Sequence, residues 1–180
     1  MKIELETKEA EERVKKLGRY LAPHLLALEG ARALNRAALA GATEMNREIR
    51  KTLNVRAGDV RDRIEVTRAH RGKLSATIVV DRKPLPLAAF RPRETSKGLR
   101  VRILKGSPLQ TIPRAFLVGR WGDKPMQRAG AERGPIRTLL GPSVGSQSAE
   151  AWASARERAD AVFEQRFVRG VNRQIERANR

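Results

Sequence analysis

The sequence predicts an α+β fold: a long N-terminal helix, a central basic antiparallel β-sheet with a hairpin, and a C-terminal helix. Three observations carry that prediction. Apolar residues recur every three or four positions in the first third and the last fifth of the 180-residue chain. Between about residue 64 and residue 128 the apolar period falls from 3.6 towards 2. Short stretches rich in Pro, Gly and Lys separate the alternating runs, as turns and loops require. At this length the chain reads as a single domain, 1–180, with an N-terminal helical part (1–53), a basic β-rich part (54–145) and a C-terminal helix (146–180).

Val14, Leu17, Leu21, Leu25, Leu28, Ala31, Leu34, Ala38, Ala42, Met45 and Ile49 draw one stripe down the first helix, with Thr7 placed as its N-cap. Pro23 marks either the first turn of a second helix or a kink in one long helix. Gly30 and Gly41 leave room for another helix to come close. The stripe covers about 35 residues, roughly 50 Å if straight. A small domain cannot cover so long a face, so Leu25, Leu34, Ala38 and Met45 are expected to lie partly in subunit contacts.

"NVRAGDVRDRI" reads as a helix end at Asn54 and a short helix carrying Val60 and Ile64 inward. Strands are expected at "RIEVTRA", "KLSATIVVDRK", "GLRVRILKG", "PRAFLVG" and "DKPMQRA". The stretch "RPRETSKG" (91–98) has no apolar residue and is expected to be a mobile loop. After the loop "GPSVGSQS", Trp152, Ala155, Ala159, Phe163, Phe167, Val171 and Ile175 form the stripe of the last helix.

The net charge is +18. Residues 63–140 hold eighteen basic and five acidic side chains, net +13, whereas residues 1–30 hold six of each. Such a field favours a polyanionic partner, whether nucleic acid, an acidic protein surface or an anionic membrane. The plainer reading is solubility alone. There is no cysteine, hence no disulfide framework or thiolate metal site. The charged N-terminus lacks the apolar core of a signal peptide, and no apolar run approaches membrane-spanning length. Residence in the cytoplasm is the expectation.

No catalytic cluster emerges. His24 and His70 fall in different elements, with no serine or carboxylate at motif spacing, and no metal-binding His motif is present. Asp59, Asp62, Glu65 and Asp81 make no convincing nuclease site, and the glycines of "VGRWGDKPMQRAG" are not followed by the Gly-Lys-Ser/Thr of a phosphate loop. No cofactor, metal or catalytic residue is expected, and the chain reads as a non-enzyme.

The basic residues do form a pattern. Arg91, Arg93, Lys97, Arg100, Arg102 and Lys105 lie within fifteen residues, followed by Arg114, Arg120, Lys124 and Arg128. On a strand Arg100 and Arg102 share the face opposite Val101 and Ile103. With neither a recognition helix nor stacking aromatics, the chemistry suits phosphate contact without sequence reading.

Taken in order, these features resemble the minor tail protein Z family of tailed bacteriophages and prophages. The resemblance rests on "LAPHLLALEGARALNRAALAGATEMNREIRK", the short basic helix "VRAGDVRDRI", "PLPLAAF", the hairpin "RPRETSKGLRVRILKG", and "IPRAFLVGRWGDKPMQRAG" followed by "GPIRTLLGPSV". It covers almost the whole chain. It implies a virion tail completion protein at the head-proximal end of the tail, joining it to the capsid neck after assembly in the host cytoplasm. It also implies a homo-oligomer, a hexameric ring by the tail's symmetry. The partners implied are the tail terminator or tail tube and head-tail connector proteins, with non-specific contact to genomic DNA in the channel and no membrane. The ten basic residues from Arg91 to Arg128 are then the candidate partner or channel contacts. The alternative from the residues alone is a free, sequence-nonspecific nucleic-acid-binding protein using the same basic sheet.

Overall fold

The computed structural model describes residues 2–5, 23–130 and 134–178. Thr7 and the first part of the helical stripe, Val14, Leu17 and Leu21, lie outside the described residues, as does the side chain of Trp121. The elements are helices α1 (Pro23–Thr52), α2 (Ala57–Arg61) and α3 (Ser148–Ala178) and eleven short strands. Helices at both ends and antiparallel sheets between them make the fold α+β.

The chain packs as two units. The first combines residues 1–45, 64–80 and 149–180. Its sheet has β3 (Ala76–Val80) in the centre, paired antiparallel with β1 (Lys2–Leu5) and β2 (Ile64–Thr67). β3 is the sequence ATIVV, β-branched at four of five positions, and its residues are buried except Val79, as suits a central strand. Its registers are Ile3↔Ile78 and Val66↔Ile78. Against this sheet pack the small residues of α1 and the aromatic stripe of α3. Ala33, Leu34, Ala37 and Ala38 share one buried cluster with Phe163, Phe167 and Val171. The rings of Phe163 and Phe167 are nearly parallel, 5.6 Å apart. Gly41 permits the close approach expected of it: a Cβ there would stand 3.1 Å from the Ala155 carbonyl and 3.3 Å from the Ala159 Cβ.

The second unit comprises residues 46–63 and 81–148. It holds the last turns of α1, α2 and three small sheets: β4 (Pro84–Pro86) with β11 (Leu140–Ser143); β5 (Arg93–Thr95), β6 (Gly98–Val101) and β7 (Gln110–Ile112); and β8 (Ala115–Val118), β9 (Lys124–Arg128) and β10 (Ile136–Thr138). Leu53, Val60, Leu85, Leu87, Phe90, Leu99, Val101 and Val144 are among its buried apolar residues. Asn54, past the end of α1, donates its backbone N–H to the Ile103 carbonyl (2.9 Å) and its side-chain amide to the Arg102 carbonyl (3.1 Å). These bonds tie the chain beyond β6 to the helix end.

Four sequence expectations are corrected here. The middle strands do not form one sheet but several, because strands of three to five residues broken by Pro and Gly cannot build a continuous ladder. The segment 91–98 is not a loop: Arg93–Thr95 pairs with Gly98–Val101, and the Thr95 hydroxyl donates to the Gly98 carbonyl at 2.7 Å to close the turn. β1 went unforeseen, although Ile3 and Leu5 alternate with Lys2 and Glu4.

The fourth correction concerns the expected subunit contacts. Leu34, Ala38 and Met45 are almost wholly buried within the chain's own fold, and Leu25 packs partly buried against the same cluster as Leu34 and Ala38. Leu25, Leu34 and Ala38 are covered instead by the sheet and the second long helix of the first unit. The large apolar residue that α1 leaves exposed is Leu39, 41% accessible.

Candidate functional site

The strand pairing of the second unit gathers part of the basic segment into a cleft of about 550 Å³. Arg93 and Arg100 are direct cross-strand partners, so two guanidinium groups project from the same face of the β5–β6 pair. Arg102 follows on the face of Arg100, while Leu99 and Val101 are buried on the other, which is the alternation read from the sequence. Arg91 enters from the preceding 3-10 turn (Leu87–Phe90) with φ +52°, and its N–H closes that turn on the Ala88 carbonyl at 3.0 Å. A left-handed backbone at a long side chain costs free energy, which the turn and buried Phe90 offset. Phe90, Val101 and Leu109 supply apolar lining, and Glu94 is the one carboxylate among the described lining residues.

None of Arg91, Arg93, Arg100 and Arg102 forms an ion pair with a described residue. Like charges directly opposite one another across strands are destabilising. An anion placed in the cleft would relieve that repulsion, and guanidinium forks match phosphate or carboxylate oxygens.

The other basic candidates are placed elsewhere in the unit. Lys97 lies in the β5–β6 turn and Lys105 follows the Leu53–Leu104 bridge, both exposed and outside the cleft lining. Arg114, Arg120, Lys124 and Arg128 belong to the β8–β9 hairpin, whose register pairs Phe116 with Met126. Arg128 stacks its guanidinium 5.2 Å from the Phe116 ring centre, which accounts for the mixture of aromatic and basic residues in that hairpin. Arg114 sits in the turn before β8 with φ +59°.

Two acidic residues of the second unit, Asp81 and Asp59, have structural partners. Asp81 accepts from the Lys83 N–H at 2.9 Å and from Arg63 at 2.7 Å, and these bonds hold its carboxyl below the ordinary aspartate range. Asp59 accepts from the Arg56 N–H at the start of α2. His70 Nδ1 accepts from the Gly72 N–H within a tight turn. Among the described residues no group of three or more His, Cys, Asp or Glu is placed to hold a metal ion, and no helix is long and apolar enough to cross a membrane.

A second basic cluster, in the first unit, was missed from sequence. Glu29, 3% exposed, accepts from Arg32 Nη1 and Gln174 Nε2 at 2.8 Å each and from Arg173 Nη2 at 3.3 Å. Burial pushes its carboxyl up; the Gln174 bond and the Arg32 and Arg173 charges outweigh that and hold it below the ordinary glutamate range. Arg36, Arg68, Arg166 and Arg169 line the same cleft. The signal was available as Arg32/Arg36 and Arg166/Arg169/Arg173 at helical spacing. Segment-by-segment charge counting hid it, because the glutamates that cancel these arginines on paper lie mostly elsewhere on the helices.

The family model of the prophage minor tail protein Z (GPZ) matches residues 7–179, nearly the whole chain. No curated protein and no solved structure is similar enough to be matched to it.

Proposed function

From the premise that this chain belongs to the prophage minor tail protein Z family, a family of structural phage tail proteins and so of the virion, we propose that it completes the tail at its head-proximal end and joins it to the capsid neck. In this reading six copies assemble in the host cytoplasm as a ring around the DNA channel, between the tail tube or terminator and the head-tail connector. The chain acts without catalysis, by presenting surfaces. The observation that supports an anionic counterpart is the Arg93–Arg100 cross-strand pair with Arg91 and Arg102 beside it and no ion pair to a described residue. Such a surface holds phosphate oxygens by charge and is indifferent to base sequence. It suits DNA that must pass rather than be gripped, since each contact is weak and salt-screened.

The test is charge reversal at Arg93 and Arg100 in the full chain, with the yield of filled, tail-joined particles as readout. A fall in yield, with the wild type itself joining less efficiently as salt rises, is expected. Normal joining by the reversed variant at every salt concentration overturns the assignment of this cleft. A chain that stays monomeric, coats duplex DNA without sequence preference and is missing from tails favours a free nucleic-acid-binding protein instead.

A further inference from the structure

We infer that the arginine cleft of the first unit is a docking groove for an acidic amphipathic helix of a partner protein. The groove measures about 490 Å³ and is framed by two helices. α1 contributes Arg32 and Arg36, one turn apart; α3 contributes Arg166, Arg169 and Arg173, at steps of three and four; Arg68 closes one side from the segment after β2. The one carboxylate lining it among the described residues, Glu29, has both oxygens occupied by Arg32, Arg173 and Gln174. Arg36, Arg68, Arg166 and Arg169 form no ion pair among the described residues. The cleft thus retains a strong positive excess after its internal pairing is satisfied.

The groove is also built rather than accidental. Asn35 donates to the Ala69 carbonyl at 2.9 Å and accepts from the Ala69 N–H at 2.8 Å, which clamps the backbone beside Arg68 onto α1. Gly170 lets the Glu29 carboxylate lie against α3, so Arg32 and Arg173 are held from below. Every cationic residue lining the cleft among the described residues is Arg, whose fork matches a carboxylate bidentately and loses little freedom in doing so.

Three features favour an acidic helix over nucleic acid. Arginines repeating by three and four along two helices face carboxylates that repeat the same way on a third. Leu39, 41% exposed at the cleft, offers an apolar anchor of the kind a helix side chain uses and a phosphate backbone does not. Among the described residues no aromatic side chain lines the cleft to offer the stacking platform of single-strand binders, and a duplex is too broad to enter between two packed helices.

The probe is a labelled synthetic helical peptide with Glu at i, i+3, i+4 and i+7 flanking one central Leu, titrated against the full-length chain by fluorescence anisotropy. Arg36→Glu and Arg169→Glu are expected to weaken binding about tenfold each, with an unchanged melting temperature because both side chains are exposed and unpaired. Lys83→Glu, an exposed position in the other unit that lines neither cleft, should leave peptide binding unchanged. A scrambled peptide of equal charge should bind at least several-fold more weakly. Equal binding of the scrambled peptide, or indifference to Arg36→Glu and Arg169→Glu, overturns the proposal. So does duplex DNA that displaces the helical peptide from wild type but loses its own affinity in those two variants.

Discussion

Gly170 and Glu29 are matched by shape: a Cβ on residue 170 would stand 2.5 Å from the Glu29 Oε2 and 3.3 Å from its Cβ. A glycine in the interior of α3 costs about 1 kcal/mol against alanine, and here that cost admits the one buried carboxylate among the described residues of the first unit. Gly170→Ala should therefore destabilise the chain by about 1 kcal/mol net, because displacing Glu29 outweighs the gain in helix propensity. In a Glu29→Ala background the same substitution should stabilise by about 0.5–1 kcal/mol. Urea unfolding of the four proteins checks this reversal of sign; the same sign in both backgrounds would mean that the two residues do not compete for space.

Glu29 also sets a pH dependence. Its folded-state carboxyl lies below the ordinary range, so its contribution is complete above the unfolded glutamate pKa of about 4.3 and is lost as pH falls through the lower folded value. Wild type should lose stability in that acid window, and Glu29→Gln should lose less over the same interval. Thermal melts across pH 2–6 measure the difference (roughly the span over which carboxylates titrate); parallel curves would contradict it.

Gly98 opens β6 with φ +122°, and an added Cβ would collide with the Ile112 carbonyl on the neighbouring strand β7. Gly98→Ala is expected to cost about 2–3 kcal/mol, combining backbone strain with a disrupted β6–β7 ladder. A shift of the urea midpoint is the readout, and a melting curve like that of wild type would show that the hairpin adjusts freely.

Burial of Leu34 inside the chain makes a prediction opposite to that of an interface residue. Leu34→Ala should lower the stability of the chain by about 2–4 kcal/mol through lost burial and a cavity, by the same amount at every protein concentration. A destabilisation that disappears on dilution would place Leu34 between subunits after all.

The helices were legible because their periodicity is long. Residues 148–178 show the stripe from Trp152 to Val171 in sequence, and the Ala115–Val118 and Lys124–Arg128 hairpin shows its turn. The Arg100–Arg102 alternation was legible for the same reason. What was not legible depends on chain-distant pairing. Nothing local says that residues 2–5 lie along Ala76–Val80, or that Glu29 meets Arg173 across more than a hundred residues. From Pro23 onward the apolar stripe of α1 follows the sequence reading, and Leu25, Leu34 and Ala38 are covered by α3 and a sheet of the same chain. A one-dimensional stripe cannot tell those apart.

The position of this chain in the virion tests the central proposal most directly. Gold labelling of an epitope-tagged chain in purified infectious particles, followed by cryo-electron microscopy of the neck, is the measurement. Label confined to the head-proximal end of the tail, with ring density around the DNA channel, is the predicted result. Label at the tail tip or along the tube, or its absence from infectious particles, would contradict it.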